Sequence, residues 1–272
     1  MADPPKNTKG KKETKKEKQE DMLKTAGTTS YFYFLIVTTL YALVKYNIGE
    51  GQHAMATMCY VFSVIVGEYI LNLNTTKTLC GSQNWKMAFM TTIIPWVLMF
   101  GIIMIMLNIY PGWISPFSNT IGYGFARLAG SKKLLNAIFP PEPTSDETKS
   151  MTTNQVEEVK QSLAYIYSDQ SILMNEVTLQ NFGEFWNKTR PLRSEESETN
   201  PSYKEKFRKI IQLKTLVGEY IWYLLTGSLV ISVGYNYSVS PGCPQTLKSI
   251  KEQHDEIEKK LERRAKKTEN QH

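Results

Sequence analysis

The chain has 272 residues, a net charge of +6 and 21% charged residues, and its mean hydropathy of −0.32 is typical of a soluble protein. The charges are unevenly spread, however, because residues 25–44, 87–126 and 220–247 carry none. Each of these stretches reaches the roughly 20 mainly apolar residues that a helix needs to cross a hydrocarbon layer about 30 Å thick. The pattern excludes an ordinary soluble domain and indicates an all-α integral membrane protein.

The N-terminal segment is rich in lysine. Residues 1–24 contain eight lysines, five acidic residues and no aromatic residue. Such a composition cannot bury enough apolar surface to offset the entropy of ordering, so we predict a basic disordered arm over residues 1–27. It differs from a signal peptide, because the basic run is long and mixed with acids and no small-residue cleavage site follows the apolar stretch.

Four segments have the length and hydropathy of membrane-spanning helices. Three lie in a membrane region of residues 28–139, and the fourth lies in residues 212–243. We place the spans at residues 30–46, 54–73, 87–108 and 216–235. Pro95 is inside the third span, and we expect a kink there or within one turn before it, because the ring clashes with the carbonyl four residues back.

Two spans contain an acidic residue, Glu68 late in the second and Glu219 early in the fourth. An ionisable residue inside a membrane is a functional-site hypothesis by default. The alternative for Glu68 is an acid near a helix end that reaches the headgroups or a partner lysine. A transporter would place such acids near mid-membrane and facing each other, whereas these two fall at opposite ends of their helices.

An aromatic segment follows the third span. Pro111 and Gly112 are expected to end the helix, and the segment contains Trp113, Phe117, Tyr123 and Phe125, followed by Arg127. Aromatic residues beside a basic residue are typical of the membrane interface. We therefore predict an interfacial amphipathic segment over residues 113–128 that lies in the headgroup plane; a re-entrant loop is the alternative.

Residues 140–211 form a small extramembrane insert that is soluble in composition. It is too short and too interrupted for a large independent core, so we expect it to pack on the membrane segments or on a partner protein. Residues 244–272 are predicted to form a charged C-terminal helix. Its two heptads are marginal alone in water, so it needs a partner; the expected partner-contact residues are Leu247, Ile250, Ile257 and Leu261.

The sequence offers no recognisable catalytic or metal-binding motif. It lacks GxSxG, HExxH, a Walker loop and a GxGxxG after a strand, and no Cys/His set has zinc-ligand spacing. We therefore expect neither an enzyme nor a cofactor. Cys80 and Cys243 each lie just beyond a span on the same predicted face, where a disulfide and two free thiols in a reducing cytosol are both compatible with the sequence.

Two stretches resemble a known family. Residues 71–130, including PGWISPFSNTIGY, and residues 217–243, reading VGEYIWYLLTGSLVISVGYNYSVSPGC, are similar to membrane-spanning minor capsid proteins of large icosahedral double-stranded DNA viruses of the chlorella-virus and mimivirus-like group. The resemblance covers about half of the chain. It implies a structural, non-enzymatic protein of the virion's internal membrane, which derives from host endoplasmic reticulum during assembly.

The resemblance implies three partners: the lipid bilayer, other minor capsid proteins and the major capsid shell. The protein would tether the bilayer to the shell. Specific nucleic-acid binding is not expected, because the tail from Lys248 to Glu269 mixes eight basic with six acidic residues. The competing hypothesis is a small transporter or channel that uses Glu68 and Glu219.

The four spans predict that both chain ends lie on one side of the membrane. The basic flanks at both ends, together with Lys77 and Lys86 in the loop between the second and third spans, predict that this side is cytoplasmic. In sealed vesicles, an added protease should therefore cleave both terminal segments or neither. Cleavage of one terminus with protection of the other would contradict the four-span topology.

Overall fold

A computed structural model describes the backbone of residues 8–80, 84–140 and 152–239, and the side chains of residues 25–77, 84–140 and 152–237. Within these ranges the chain is helical throughout and has no strand, as the sequence predicts. The α-helices are α1 (Thr8–Asn47), α2 (His53–Cys80), α3 (Trp85–Pro95), α4 (Ile102–Ile109), α5 (Ser115–Phe117), α6 (Tyr123–Leu128), α7 (Ser131–Ile138), α8 (Thr153–Ser168), α9 (Gln170–Glu176), α10 (Phe182–Lys188), α11 (Glu195–Thr199) and α12 (Pro201–Val239).

Four helical stretches of the described chain are long and apolar enough to cross a membrane, which confirms the sequence prediction. They are Thr25–Asn47, Glu50–Lys77, Trp85–Ile109 and Pro201–Tyr237. Many of their large apolar side chains, such as Leu40, Phe62 and Ile105, are exposed on the outside of the bundle. A surface of this kind is suited to lipid, because a soluble protein rarely exposes a contiguous apolar area of such extent.

The four spans pack side by side with alternating direction. In the first and fourth spans, Lys45 pairs with Glu219 while Gly27 contacts Tyr235, so the two helices are antiparallel. The second span is antiparallel to the first in the same way. The N-terminal end of the first span and the C-terminal end of the fourth therefore lie at the same end of the bundle, as the topology prediction requires; the chain termini themselves are outside the described residues.

An aromatic cluster forms the core of this bundle. Phe34 is fully buried and meets Trp96 and Phe100 with ring centroids 5.3 and 5.9 Å apart. Gly227 allows the Phe34 ring to approach the backbone of α12, since a Cβ atom there would overlap the ring. Aromatic pairs at these separations contribute about 0.5–1.5 kcal/mol beyond their area burial.

Over residues 8–27 the structure has a helix where the sequence predicted a disordered arm, while residues 1–7 lie outside the described part of the chain. Helix α1 begins at Thr8 and continues without a break into the first span. The physical reason is that lysine and glutamate are good helix formers, and extending an existing helix avoids the unfavourable nucleation step. Composition alone gave too much weight to the absence of apolar residues.

The third span changes its hydrogen-bonding pattern at Pro95. Helix α3 ends at Pro95, and a π-helical stretch, Trp96–Gly101, connects it to α4. The irregularity therefore lies after the proline, whereas the sequence predicted a disturbance at Pro95 or in the preceding turn. Local π geometry is one of the ways in which a membrane helix satisfies the backbone groups that a proline leaves free.

The insert forms an outer subdomain, which we define as α7 to α11 together with the first three turns of α12. Its core combines Leu135 and Phe139, which precede the insert, with Phe207 and Ile211 near the end of the insert. The insert therefore packs on residues that the sequence analysis assigned to the membrane region. The proposed boundary at residues 139/140 divides this core, and the one at 211/212 falls inside α12.

Residues 113–128 follow α12 along its length. The Nε1–H of Trp222 donates to the carbonyl of Trp113 at 2.7 Å, and Gly122 lies against the backbone carbonyl of Lys214. As the residue number increases along this segment, the number of the α12 residue that it contacts decreases, so the two run antiparallel. This direction differs from the predicted in-plane orientation, because a segment in the headgroup plane would cross a spanning helix.

We predict that Gly122→Ala destabilises the protein by roughly 1–3 kcal/mol, the usual effect of overpacking. The added Cβ would overlap the backbone carbonyl of Lys214, which cannot move without displacing α12. Gly124→Ala is the matched control, since a Cβ at that position has open space around it. Thermal unfolding in detergent should separate the two variants, and equal melting temperatures would refute the close contact.

Candidate functional site

The second span carries a polar face that points into the bundle. Glu68, Asn72 and Thr75 are spaced by four and three residues, which brings them to one side of a helix. Glu68 is only 2% exposed, and the hydroxyl of Ser30 in the first span hydrogen-bonds its carboxyl group. The Glu68 carboxyl oxygen Oε1 is buried without a hydrogen-bond partner.

A small cavity lies at this polar face. Its volume is about 20 Å³, which is room for one water molecule or one small ion. All four spans contribute to its wall, and its polar lining includes Ser30, Glu68, Asn72, Thr75 and Thr91. Glu68 therefore faces the interior of the bundle, and a functional role for it stays a prediction.

The other intramembrane acid is neutralised at the opposite end of the bundle. Glu219 Oε2 is 2.6 Å from Lys45 Nζ, and the two side chains are 16% and 13% exposed. Along the first span, Ser30 marks the level of Glu68 and Lys45 marks that of Glu219. At 1.5 Å per residue, these 15 residues separate the two acids by roughly 22 Å. The structure therefore does not bring the two acids into one site.

A buried lysine joins the bundle to the outer subdomain. Lys214 is 2% exposed, and its Nζ donates to the carbonyl of Met174 at 2.6 Å and to Oδ1 of Asn119 at 2.9 Å. It thus links α12, the insert and the segment after the third span. Charge-assisted hydrogen bonds are stronger than neutral ones, so this contact fixes the three segments relative to one another.

Arg193 organises the outer subdomain in a similar way. Its guanidinium carbon lies 4.0 Å from the ring centroid of Trp186, and Nη2 pairs with Glu198 Oε1 at 2.6 Å. Burial lowers the pKa of Arg193, while the carboxylate of Glu198 acts in the opposite direction. An arginine remains charged under such a shift, so the pair persists at neutral pH.

The five predicted membrane-interface residues lie on the segment that follows the third span. Trp113, Phe125 and Arg127 are exposed, while Phe117 and Tyr123 are half-buried. Phe117 packs edge to face on Trp222 at 5.2 Å between centroids. Contact of these side chains with headgroups stays a prediction, and Phe117 has an additional role in holding the segment to α12.

Two further predicted sites fall outside the described part of the chain. Cys243 and the tail residues Leu247, Ile250, Ile257 and Leu261 lie beyond residue 239, and the side chain of Cys80 is not described. The proposed Cys80–Cys243 pair and the partner-contact helix therefore stay predictions. Among the described residues, no cluster of three or more His, Cys, Asp or Glu side chains could hold a metal ion.

Sequence reasoning missed Lys214 and the hydroxyl groups around Glu68. Lys214 was not singled out, since a sequence gives no sign that a lysine beside a span is buried. A signal for the second set was available in the spacing of Glu68, Asn72 and Thr75, which places three polar residues on one face of an otherwise apolar helix.

No protein-family model, no curated protein and no solved structure matches the chain.

We predict that Glu219→Gln destabilises the bundle by roughly 3 kcal/mol, because it leaves Lys45 charged and largely buried without its partner. The double variant Lys45→Met/Glu219→Gln should lose less, since it removes both charges. Glu184→Gln is the control: its partner Lys188 is exposed and the pair contributes little. Thermal unfolding of the unmodified protein and the three variants measures these differences in stability. A double variant less stable than Glu219→Gln would disprove the pairing argument.

Proposed function

We propose that this chain is a structural minor capsid protein that tethers a viral internal membrane to the outer capsid shell. The viral part of the proposal rests on the resemblance of residues 71–130 and 217–243 to such proteins. The structural observation that carries the tether is the continuity of α12 between the two cores of the chain.

Helix α12 is much longer than a membrane requires. Its 39 residues extend for roughly 58 Å, whereas a span needs about 20 residues. The additional turns supply Phe207, Ile210 and Ile211 to the core of the outer subdomain, and later turns supply Tyr223 and Val230 to the bundle. A displacement of the outer subdomain is therefore transmitted to the membrane region through a hydrogen-bonded helix and not through a flexible linker.

A second connection runs in parallel with α12. The chain leaves the third span, follows α12 through residues 113–128 and enters the outer subdomain at α7. Gly218 lets the two approach closely, with a Cβ at that position meeting Ser118 at 2.9 Å. Two helical connections clamped side by side resist bending better than one, which suits a protein that must hold two layers at a fixed separation.

The surface chemistry of the two ends also supports a tether. The bundle exterior is apolar and suited to a bilayer, while the exposed side of α8 carries charged residues such as Glu157, Glu158 and Lys160. A mixed-charge surface of this kind suits contact with another protein, since nucleic-acid binding favours a basic excess. The mixed charges of residues 248–269 extend the same argument to the tail.

The transporter alternative has less support. A transport site needs its ionisable groups within reach of the same ion or substrate. Glu68 and Glu219 are separated by most of the bundle height, and Lys45 already neutralises Glu219. Glu68 remains as an isolated buried acid.

The tether predicts how the protein partitions when purified virus particles lose their lipid. After extraction with a non-ionic detergent and sedimentation, the protein should remain with the capsid shell in stoichiometric amount. A membrane protein with no shell contact, such as a transporter, would stay with the solubilised lipid. Complete release into the lipid fraction, or absence from the particles, would refute the proposal.

The tail offers a second arm of this experiment. Deletion of residues 247–272 should leave the protein in the membrane, because the four spans are intact, but should lower its incorporation into particles. Substitution of Glu184 and Lys188 by alanine removes one exposed charge pair, leaves the tail unchanged and serves as a control for altered surface charge. Normal incorporation of the truncated protein would exclude the tail as a shell contact.

A further inference from the structure

The cavity beside Glu68 is lined by oxygen atoms whose hydrogen atoms point elsewhere. The Thr75 hydroxyl donates to the carbonyl of Leu71, and the Thr91 hydroxyl donates to the carbonyl of Met87. In both cases the hydrogen is engaged within the residue's own helix. The lone pairs of these two hydroxyl oxygen atoms can therefore accept a hydrogen bond or coordinate an ion in the cavity.

Two further polar side chains of the lining follow the same rule. Asn72 uses Nδ2 to donate to Oγ1 of Thr92 at 2.8 Å, which leaves its Oδ1 as an acceptor. The hydroxyl of Ser30 is engaged with the Glu68 carboxyl group, whose Oε1 has no partner. The cavity wall therefore includes several acceptor oxygen atoms and one group that can carry a negative charge, next to the donor groups of Trp96 and Tyr235.

We propose that this cavity is a binding site for a single dehydrated monovalent cation of the size of Na⁺. A carboxylate, an amide oxygen and hydroxyl oxygens are hard ligands of the kind that such ions take. A cation would satisfy Oε1 of Glu68 and cancel its charge, and an isolated charge is strongly unfavourable in a membrane interior. The proposal is independent of the tether, since it concerns an ion held inside the bundle.

Charge and volume select the ion class. Glu68 is the one acidic residue among those that line the cavity, so a monovalent cation gives a neutral site whereas a divalent cation would leave a buried positive charge. The volume of about 20 Å³ accommodates one small ion without its hydration shell. The oxygen ligands of the ion would come from the first three spans, so its binding should stabilise the bundle.

The test uses the purified full chain in lipid nanodiscs. Thermal unfolding is recorded in NaCl, KCl and choline chloride at constant ionic strength, and ²²Na⁺ binding is measured at equilibrium. A ligand that binds only the folded state raises the melting temperature progressively with its concentration. We expect such a rise for NaCl over choline chloride, a smaller effect of KCl, and one ²²Na⁺ bound per chain.

Two variants locate the ion. Glu68→Gln should abolish the NaCl-dependent rise and the ²²Na⁺ binding. Glu219→Gln removes the other buried acid of the same bundle and should keep the NaCl dependence at a lower overall melting temperature. If Glu68→Gln does not fold, Thr91→Val, which replaces one lining oxygen by a methyl group of similar size, should weaken ²²Na⁺ binding.

The proposal is overturned by equal melting temperatures of the unmodified protein in NaCl and choline chloride together with no bound ²²Na⁺. That result would mean that the cavity holds a water molecule beside a protonated Glu68. Equal effects of KCl and NaCl would overturn the size assignment, and retention of ²²Na⁺ binding by Glu68→Gln would move the site elsewhere.

Discussion

The close contact between the segment after the third span and α12 determines how the rest of the structure is arranged. At Gly122 and Gly218 there is no side chain to keep the two backbones apart, so the segment lies directly on the helix. Lys214 then reaches both Asn119 and Met174 from a buried position. If this contact were lost, residues 113–128 would no longer be held against α12, and α12 would be the one rigid connection between the outer subdomain and the bundle.

Burial in a membrane explains the distribution of polar groups in the bundle. Hydroxyl groups of the spans bond to carbonyls of their own helix, as Thr38 does with Phe34, or to a tyrosine of a neighbouring span, as Thr39 does with Tyr220. Such pairing is required where no water can replace a missing partner. Glu68 differs from Glu219, which pairs with Lys45, because its Oε1 is buried without a hydrogen-bond partner.

The sequence allowed the number and approximate position of the spans to be predicted, because charge-free apolar stretches have few other physical explanations. The helical spacing of Val156, Val159, Leu163 and Ile166 likewise predicts a helix over residues 154–166. The structure has this helix at Thr153–Ser168, with the last three of these side chains buried and Val156 half-buried. These features depend on local patterns. The start of α1 at Thr8 was not predicted, because the composition of residues 1–24 carries no information about the helical span that follows them.

Features that depend on tertiary contact could not be predicted. The sequence placed residues 113–128 in the headgroup plane, since aromatic and basic residues occur there. Their actual direction is set by close packing on α12, with Gly122 on the segment and Gly218 on the helix. Similarly, Lys45 and Glu219 are 174 positions apart in the chain and pair only because the first and fourth spans are antiparallel. Neither arrangement leaves a short-range signal in the sequence.

The claim on which this account depends most is that the outer subdomain is held rigidly on the bundle. Pulsed electron paramagnetic resonance can test it with spin labels at two exposed polar positions, Gln52 at the end of the bundle and Lys160 on α8, in a chain whose native cysteines are replaced by serine. The account predicts one narrow distance distribution in nanodiscs, which Thr215→Pro should broaden by interrupting α12. A broad distribution in the protein without that proline would contradict rigid coupling.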